Sequence, residues 1–189
     1  MRHVISALVM NEPGVLAGVA NMFSARGFNI DSLVVGRTED PGLSRMTIVV
    51  VGDDNTLEQV SRQLAKLVPV VQVRNFKSAA YIERDLALIT IGVGPEQRRE
   101  VIEVVNLFRG KVVDVAPTSL IVELAGTEEK VEAFVELIRP YGITELARTG
   151  IIAMARGTQP AKSDPTVATT GGKRVRTMDA PATAALPPS

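Results

Sequence analysis

A chain of 189 residues, 46% of them hydrophobic, has room for one ordinary domain or two small ones and can bury a core in each, which excludes disorder throughout. Lys plus Arg and Asp plus Glu both total 21, so the formal charge is zero and no whole-molecule field draws nucleic acid or an anionic membrane. There is no cysteine, which removes disulfides, thiolate nucleophiles and cysteine metal sites, and His3 is the single histidine, so neither a catalytic triad nor a multi-histidine metal centre can be assembled.

The opening run, MRHVISALVMNEPGVL, is interrupted by Asn11, Glu12 and Pro13 before it reaches the length of a signal-peptide core or a membrane span. The expectation is a cytoplasmic protein, neither exported nor anchored. Residues 3–10 are β-rich, with His3 at a solvent-facing edge position and without a catalytic role. After the turn Asn11-Glu12-Pro13-Gly14, the residues Val15, Leu16, Val19, Ala20 and Phe23 recur at helical spacing up to Gly27. Residues 30–35 and 46–51 read as strands joined by the hairpin connection Arg37-Thr38-Glu39-Asp40-Pro41-Gly42. A second amphipathic helix is marked by Leu57, Val60, Leu64 and Leu67 and opened by Asp54, Asn55 or Thr56, and residues 70–73 follow past Pro69 as a fourth strand.

This βαββαβ order predicts an antiparallel four-stranded sheet with two helices on one face, the ferredoxin-like layout, closing near Phe76. From Ala80 the pattern restarts. Residues 82–93 are extended; Val101, Val104, Val105 and Phe108 are helical, with Gly110 as the stop. Residues 112–115 and 120–124 flank the Pro117-Thr118-Ser119 turn, Val131, Phe134, Val135 and Ile138 form a helix ending before Pro140 and Gly142, and residues 143–146 read as the last strand. The fold class is therefore α+β: two ferredoxin-like βαββαβ domains in tandem, over residues 1–77 and 78–157. Residues 158–189 are rich in Pro, Ala, Thr, Ser and Lys and lack apolar periodicity, so burial cannot offset the entropy of ordering them and a disordered C-terminal tail is expected. Its Lys173-Arg174-Val175-Arg176 cluster reads as a solvated basic stretch.

The segment Asn11-Glu12-Pro13-Gly14-Val15-Leu16 runs from a strand end into a helix start, with proline near the first helical position. A helix start holds unpaired N–H groups and a partial positive charge, so it can take a carboxylate without a basic side chain. Gly14 lets a ligand approach the backbone, and Asn11 can cap the helix or bond a ligand. An ordinary capped turn has the same composition. In the second turn, Arg26-Gly27-Phe28-Asn29-Ile30, Gly27 reads as a helix C-cap, and Asn29 as either a plain turn residue or an acceptor for an ammonium group beside an aliphatic pocket. Together the two turns suit a zwitterion with an apolar side chain.

Both faces of the first-half strands are largely apolar: Ile5, Ala7 and Val9 alternate with Val4, Leu8 and Met10, and Met46, Ile48 and Val50 alternate with Thr47, Val49 and Val51. Helices cover one face only, so the other needs a second cover, of which a partner subunit is the simplest. Catalytic constellations are thin. The clusters Asp53-Asp54, Glu128-Glu129 and 96–100 sit at helix starts or on exposed helical faces, where acidic residues complement the dipole. Gly92-x-Gly94 before Pro95 lacks the spacings of a nucleotide loop. The same fold order occurs in RNA-binding modules, but these stack bases on central-strand aromatics, and here aromatics are 4% with Phe76 and Tyr81 outside the central strands.

The phrases NEPGVLAGVANMFSARGFNIDSLVVGRTEDPGLSRMTIVVVGD and LEQVSRQLAKLVPVVQV resemble the ACT domain. With ERDLALI, FRGKVVDVAP, VELAGTEEKVEAF and ELARTGIIAMARG they make the chain, up to Gly157, resemble the small subunits of acetolactate synthase. The resemblance implies a non-catalytic regulatory subunit: a homodimer through side-by-side ACT domains, binding valine, leucine or isoleucine across the joint. Asn11, Gly14, Val15 and Leu16 would come from one protomer, and Asn29 and Ile30 from the other. Pro13 departs from the serine common in the motif and leaves one backbone donor fewer. It further implies a large catalytic subunit holding thiamine diphosphate, magnesium and FAD, whose activity this subunit raises and places under end-product inhibition; no cofactor, metal or catalytic residue is expected in this chain. An amino-acid sensor acting on transcription or another enzyme, and a small enzyme on the same scaffold, remain as other classes; the first would bring a DNA-binding helix-turn-helix, which the chain does not show.

Overall fold

A computed structural model describes residues 1–77 and 80–157, and the expectations for residues 158–189, the disordered tail and the basic cluster at 173–176, lie outside the described residues. The elements are β1 (Arg2–Met10), α1 (Val15–Ser24), β2 (Ile30–Arg37), β3 (Leu43–Val51), α2 (Asp54–Leu64) and β4 (Val70–Asn75), then β5 (Tyr81–Gly92), α3 (Pro95–Leu107), β6 (Lys111–Ala116), β7 (Ser119–Gly126), α4 (Glu128–Ile138), β8 (Ile143–Arg148) and β9 (Ile152–Ala155). The first sheet has the order β2-β3-β1-β4 and the second β6-β7-β5-β8, with antiparallel neighbours throughout. Both are the expected ferredoxin-like arrangement.

Alternation decides which side each core occupies. Ile5, Ala7 and Val9 point from β1 towards Val15, Val19, Met22 and Phe23 of α1 and Leu57, Val60 and Leu64 of α2. In the second unit Ala87, Ile89 and Ile91 meet Leu120, Val122 and Leu124 of β7 and Val131, Phe134 and Ile138 of α4. Several local expectations are corrected. His3 is 7% exposed, because β1 is a central strand, and its Nε2 lies 3.2 Å from the Gly52 carbonyl. Helix α2 is capped by Asp53, whose carboxylate accepts from the N–H and hydroxyl of Thr56 at 2.8 and 2.7 Å; these bonds hold its pKa below the ordinary value.

The end of α3 differs as well. Arg109, not Gly110, takes the left-handed conformation, at φ 54°, while Gly110 donates to the Val105 carbonyl at 2.8 Å and Arg109 to that of Asn106 at 2.9 Å, the paired bonds of a Schellman ending. A non-glycine residue is strained there, so Arg109→Gly is expected to stabilise the second unit by about 0.5–1 kcal/mol after glycine's extra chain entropy. A denaturant midpoint that falls instead of rising would show the strain to be relieved elsewhere.

Residues 143–146 are not the last strand. β9 follows, pairing with Tyr81–Arg84, the first residues of the long strand β5. Its Ile151 and Ala153 neighbourhood packs with Val4, Val49 and Phe76 into a third buried cluster, which covers part of the first sheet's helix-free face. Tyr81 opens β5 and stacks on Phe76 with ring centroids 4.9 Å apart. Arg2 bridges to Glu128 at 2.8 Å across the same seam, and burial raises the pKa of Glu128 against the pull of Arg2. Gly150, at φ 81°, sits so close to β2 that a Cβ would lie 2.5 Å from Ser32 Oγ. Some of the cover expected from a partner therefore comes from the chain itself.

Candidate functional site

Asn11 leaves β1 and is held by the β2–β3 connection. Its N–H donates to the Gly42 carbonyl at 2.8 Å, its Nδ2 to the Pro41 carbonyl at 3.0 Å, and Ser44 Oγ donates to its Oδ1 at 3.2 Å. It does not cap α1, as the sequence had allowed. The N-cap is Gly14, at φ 85°, a conformation that a side chain opposes, and Pro13 precedes it, one residue outside the cap rather than at the first helical position.

Val15 N–H reaches the Glu12 carbonyl only at 3.4 Å and Gly18 N–H takes the Gly14 carbonyl at 2.8 Å, so the intervening amides of Leu16 and Ala17 are the orphan donors of the first turn. No acidic side chain lies in that turn. A Cβ on Gly14 would meet nothing within 4 Å, so the space beside the cap residue is open. Val15 is buried in the core, whereas Leu16 is 47% exposed. The turn is thus an anion-receptive backbone corner with an apolar side chain beside it.

Asn29 is exposed and Ile30 half-buried against the first core. Gly27, at φ 67°, closes α1 as expected, its N–H donating to Ser24 at 3.1 Å and that of Phe28 to Phe23 at 3.1 Å. The two turns stand at opposite ends of α1, whose 10 residues span about 15 Å at 1.5 Å per residue. One chain therefore brings Asn11, Gly14, Val15 and Leu16 together but leaves Asn29 and Ile30 apart from them. Sequence reasoning missed Ser44 and Pro41, which fix the Asn11 amide. They stand some thirty residues away, and only the Val9–Ser44 register brings them alongside.

Two further features bear on how the turns combine. β2 pairs only with β3, so its outer edge is unpartnered among the described residues. Helix α1, VLAGVANMFS, carries no charge, and its exposed residues are Leu16, Ala17, Gly18, Ala20, Asn21 and Ser24. The described residues contain no group of three His, Asp or Glu side chains placed to hold a metal ion, and no helix among them is long and apolar enough to cross a membrane.

Residues 5–72 match the family described as the AHAS small subunit-like ACT domain, and residues 84–157 the family described as the small subunit of acetolactate synthase. The chain is 54% identical over 157 residues to the probable acetolactate synthase small subunit of Archaeoglobus fulgidus, covering 83% of this chain and 98% of that protein. It is 48% identical over 155 residues to the acetolactate synthase small subunit of Mycolicibacterium smegmatis, covering 82% and 91%. A crystal structure of the acetolactate synthase small subunit from Thermotoga maritima superposes with a TM-score of 0.78 at 45% identity, over 84% of this chain and 99% of that one.

Proposed function

Because the chain belongs to the acetolactate synthase small-subunit family and carries that family's ACT domain, which implies association with a catalytic large subunit, we propose that it is the amino-acid sensor of that assembly. It binds valine, leucine or isoleucine between two copies of itself, raises the activity of the large subunit and lets the amino acid lower it again. The observation that carries this reading is the placement of the two turns at opposite ends of an uncharged helix beside an unpartnered strand edge. A two-fold contact through β2 and α1 runs the helices antiparallel, so that Gly14 of one copy meets Asn29 of the other.

In this reading the amides of Leu16 and Ala17 take the ligand carboxylate, Asn29 accepts from its ammonium group, and Leu16 with Ile30 lines its aliphatic chain. Thiamine diphosphate, magnesium and FAD belong to the large subunit, and the complex works in the cytoplasm. Sensing requires two states that differ in affinity for the amino acid, since a ligand bound equally by both shifts nothing.

The test is reconstitution. The purified chain is expected to make no acetolactate from pyruvate, to raise the turnover of its cognate large subunit, and to make that turnover sensitive to a branched-chain amino acid. Asn29→Ala is expected to weaken binding by roughly 1–3 kcal/mol, as for a hydrogen bond to a charged group. If the wild-type chain neither changes turnover nor confers sensitivity to any of the three amino acids, the reading is wrong.

A further inference from the structure

The helix-free face of the first sheet is only partly covered by β9, and its uncovered part has an unusual composition. The strand registers place Ser6 between Thr47 and Arg74, Leu8 between Arg45 and Gln72, and Met10 beside Leu43. They place no acidic residue on this face. Arg45 Nη1 donates to Ser6 Oγ at 3.2 Å, so its head group lies over the strand that Arg74 flanks from the other side. Ser6 is 2% exposed, while Leu8, Met10, Leu43 and both arginines are half-buried.

Neither Arg45 nor Arg74 has a carboxylate within ion-pair distance among the described residues. The Nε of Arg74 is buried without an acceptor. Two guanidinium groups partly withdrawn from water, one with an unsatisfied donor, are an incomplete arrangement that an anion completes.

We infer that this face is where the large catalytic subunit docks, an acidic surface of that partner meeting Arg45 and Arg74 while its apolar residues cover Leu8, Met10 and Leu43. The inference rests on the reading of the chain as a regulatory subunit and adds the surface it uses. The face is built from three paired strands, β3, β1 and β4, whose breadth suits a protein surface better than a small anion. An arginine beside half-buried aliphatic side chains, as Arg45 is beside Leu8 and Leu43, is the anatomy of an interface centre. A second copy is the wrong occupant, because the paired positions of this face include no acidic residue, so a two-fold contact through it gives the arginines of neither copy a carboxylate. The side-by-side pairing through β2 leaves the face free on both copies.

The experiment titrates the large subunit with wild-type chain, with Arg45→Glu/Arg74→Glu and with Arg45→Lys/Arg74→Lys, at several salt concentrations. Reversal is expected to raise the half-saturating concentration about tenfold or more and to flatten its salt dependence, while the lysine pair stays close to wild type. Calorimetric titration of the isolated variants with valine, leucine and isoleucine should match wild type, which separates docking from sensing. Should the double reversal fold poorly, Arg74→Gln alone gives the same comparison with a smaller shift. Unchanged activation by the reversed variant removes the docking face and leaves the regulatory reading intact. A wild-type chain that never alters turnover removes both. Competition by inorganic phosphate beyond matched chloride, lost on reversal while activation persists, assigns the arginines to a free anion and overturns the proposal.

Discussion

Gly14→Asp is expected to abolish branched-chain amino-acid binding while leaving the fold and the dimer in place. Gly14 is the N-cap of α1 at φ 85°. Among side-chain-bearing residues, aspartate is one of the few that tolerate this region, and it suits an N-cap, so the local backbone can persist. Bulk is not the reason for the loss, since a Cβ there has open space within one chain. Charge is. A carboxylate at the cap neutralises the partial positive end of the helix and faces the carboxylate of the ligand, and two such charges about 4 Å apart at an effective dielectric of about 20 repel by roughly 4 kcal/mol. That is about a thousandfold in affinity. Titration calorimetry with the three amino acids, beside sedimentation of the same sample, tests it; wild-type affinity in the variant would move the site away from α1.

Arg148→Ala is expected to cost the second unit about 3–5 kcal/mol, the range for leaving a buried charge without its partner. Asp85 is 1% exposed within β5, and Arg148 Nε donates to its Oδ2 at 2.8 Å while Nη1 pairs with Glu132 on α4. Thr149, the next residue, donates from its backbone to the Leu86 carbonyl at 2.9 Å. The guanidinium is 25% exposed and partly screened, so the penalty comes from the stranded carboxylate rather than from the lost attraction. Asp85→Leu in the same background should recover much of the loss. Denaturant melts showing Arg148→Ala within 1 kcal/mol of wild type would mean that water reaches Asp85 and replaces the arginine.

The two βαββαβ units were legible because apolar spacing along each segment, the quantity a sequence displays directly, also selects the core face of each helix and strand. Of the five residues whose spacing announced α1, Val15, Val19 and Phe23 are buried in the core while Leu16 and Ala20 face outward. What escaped depended on distant register. His3 read as an edge residue from its place at the start of an apolar run, yet β1 lies between β3 and β4 and buries it. β9 is four residues long between Gly150 and Gly157, too short for periodicity to reveal it, and it exists because Tyr81–Arg84 extends past its own sheet and offers an edge. Asn11 was singled out from its turn, but its bonds to Pro41 and Ser44 needed the β1–β3 pairing. The candidate turns were thus found locally, whereas the distance that α1 puts between them within one chain was measured only once helix and strands were placed.

The β9 seam also orders events during synthesis. Val4 and Val49 emerge early and can join the first sheet, but the residues that cover them, Ile151 and Ala153, are made about 75 residues after Phe76, some 4–15 s later at roughly 5–20 residues per second. Throughout that interval a nearly complete first unit shows apolar strand surface to its neighbours. The proposed pairing elements, α1 and β2, also belong to this early half, so under that proposal they are complete well before the seam can close.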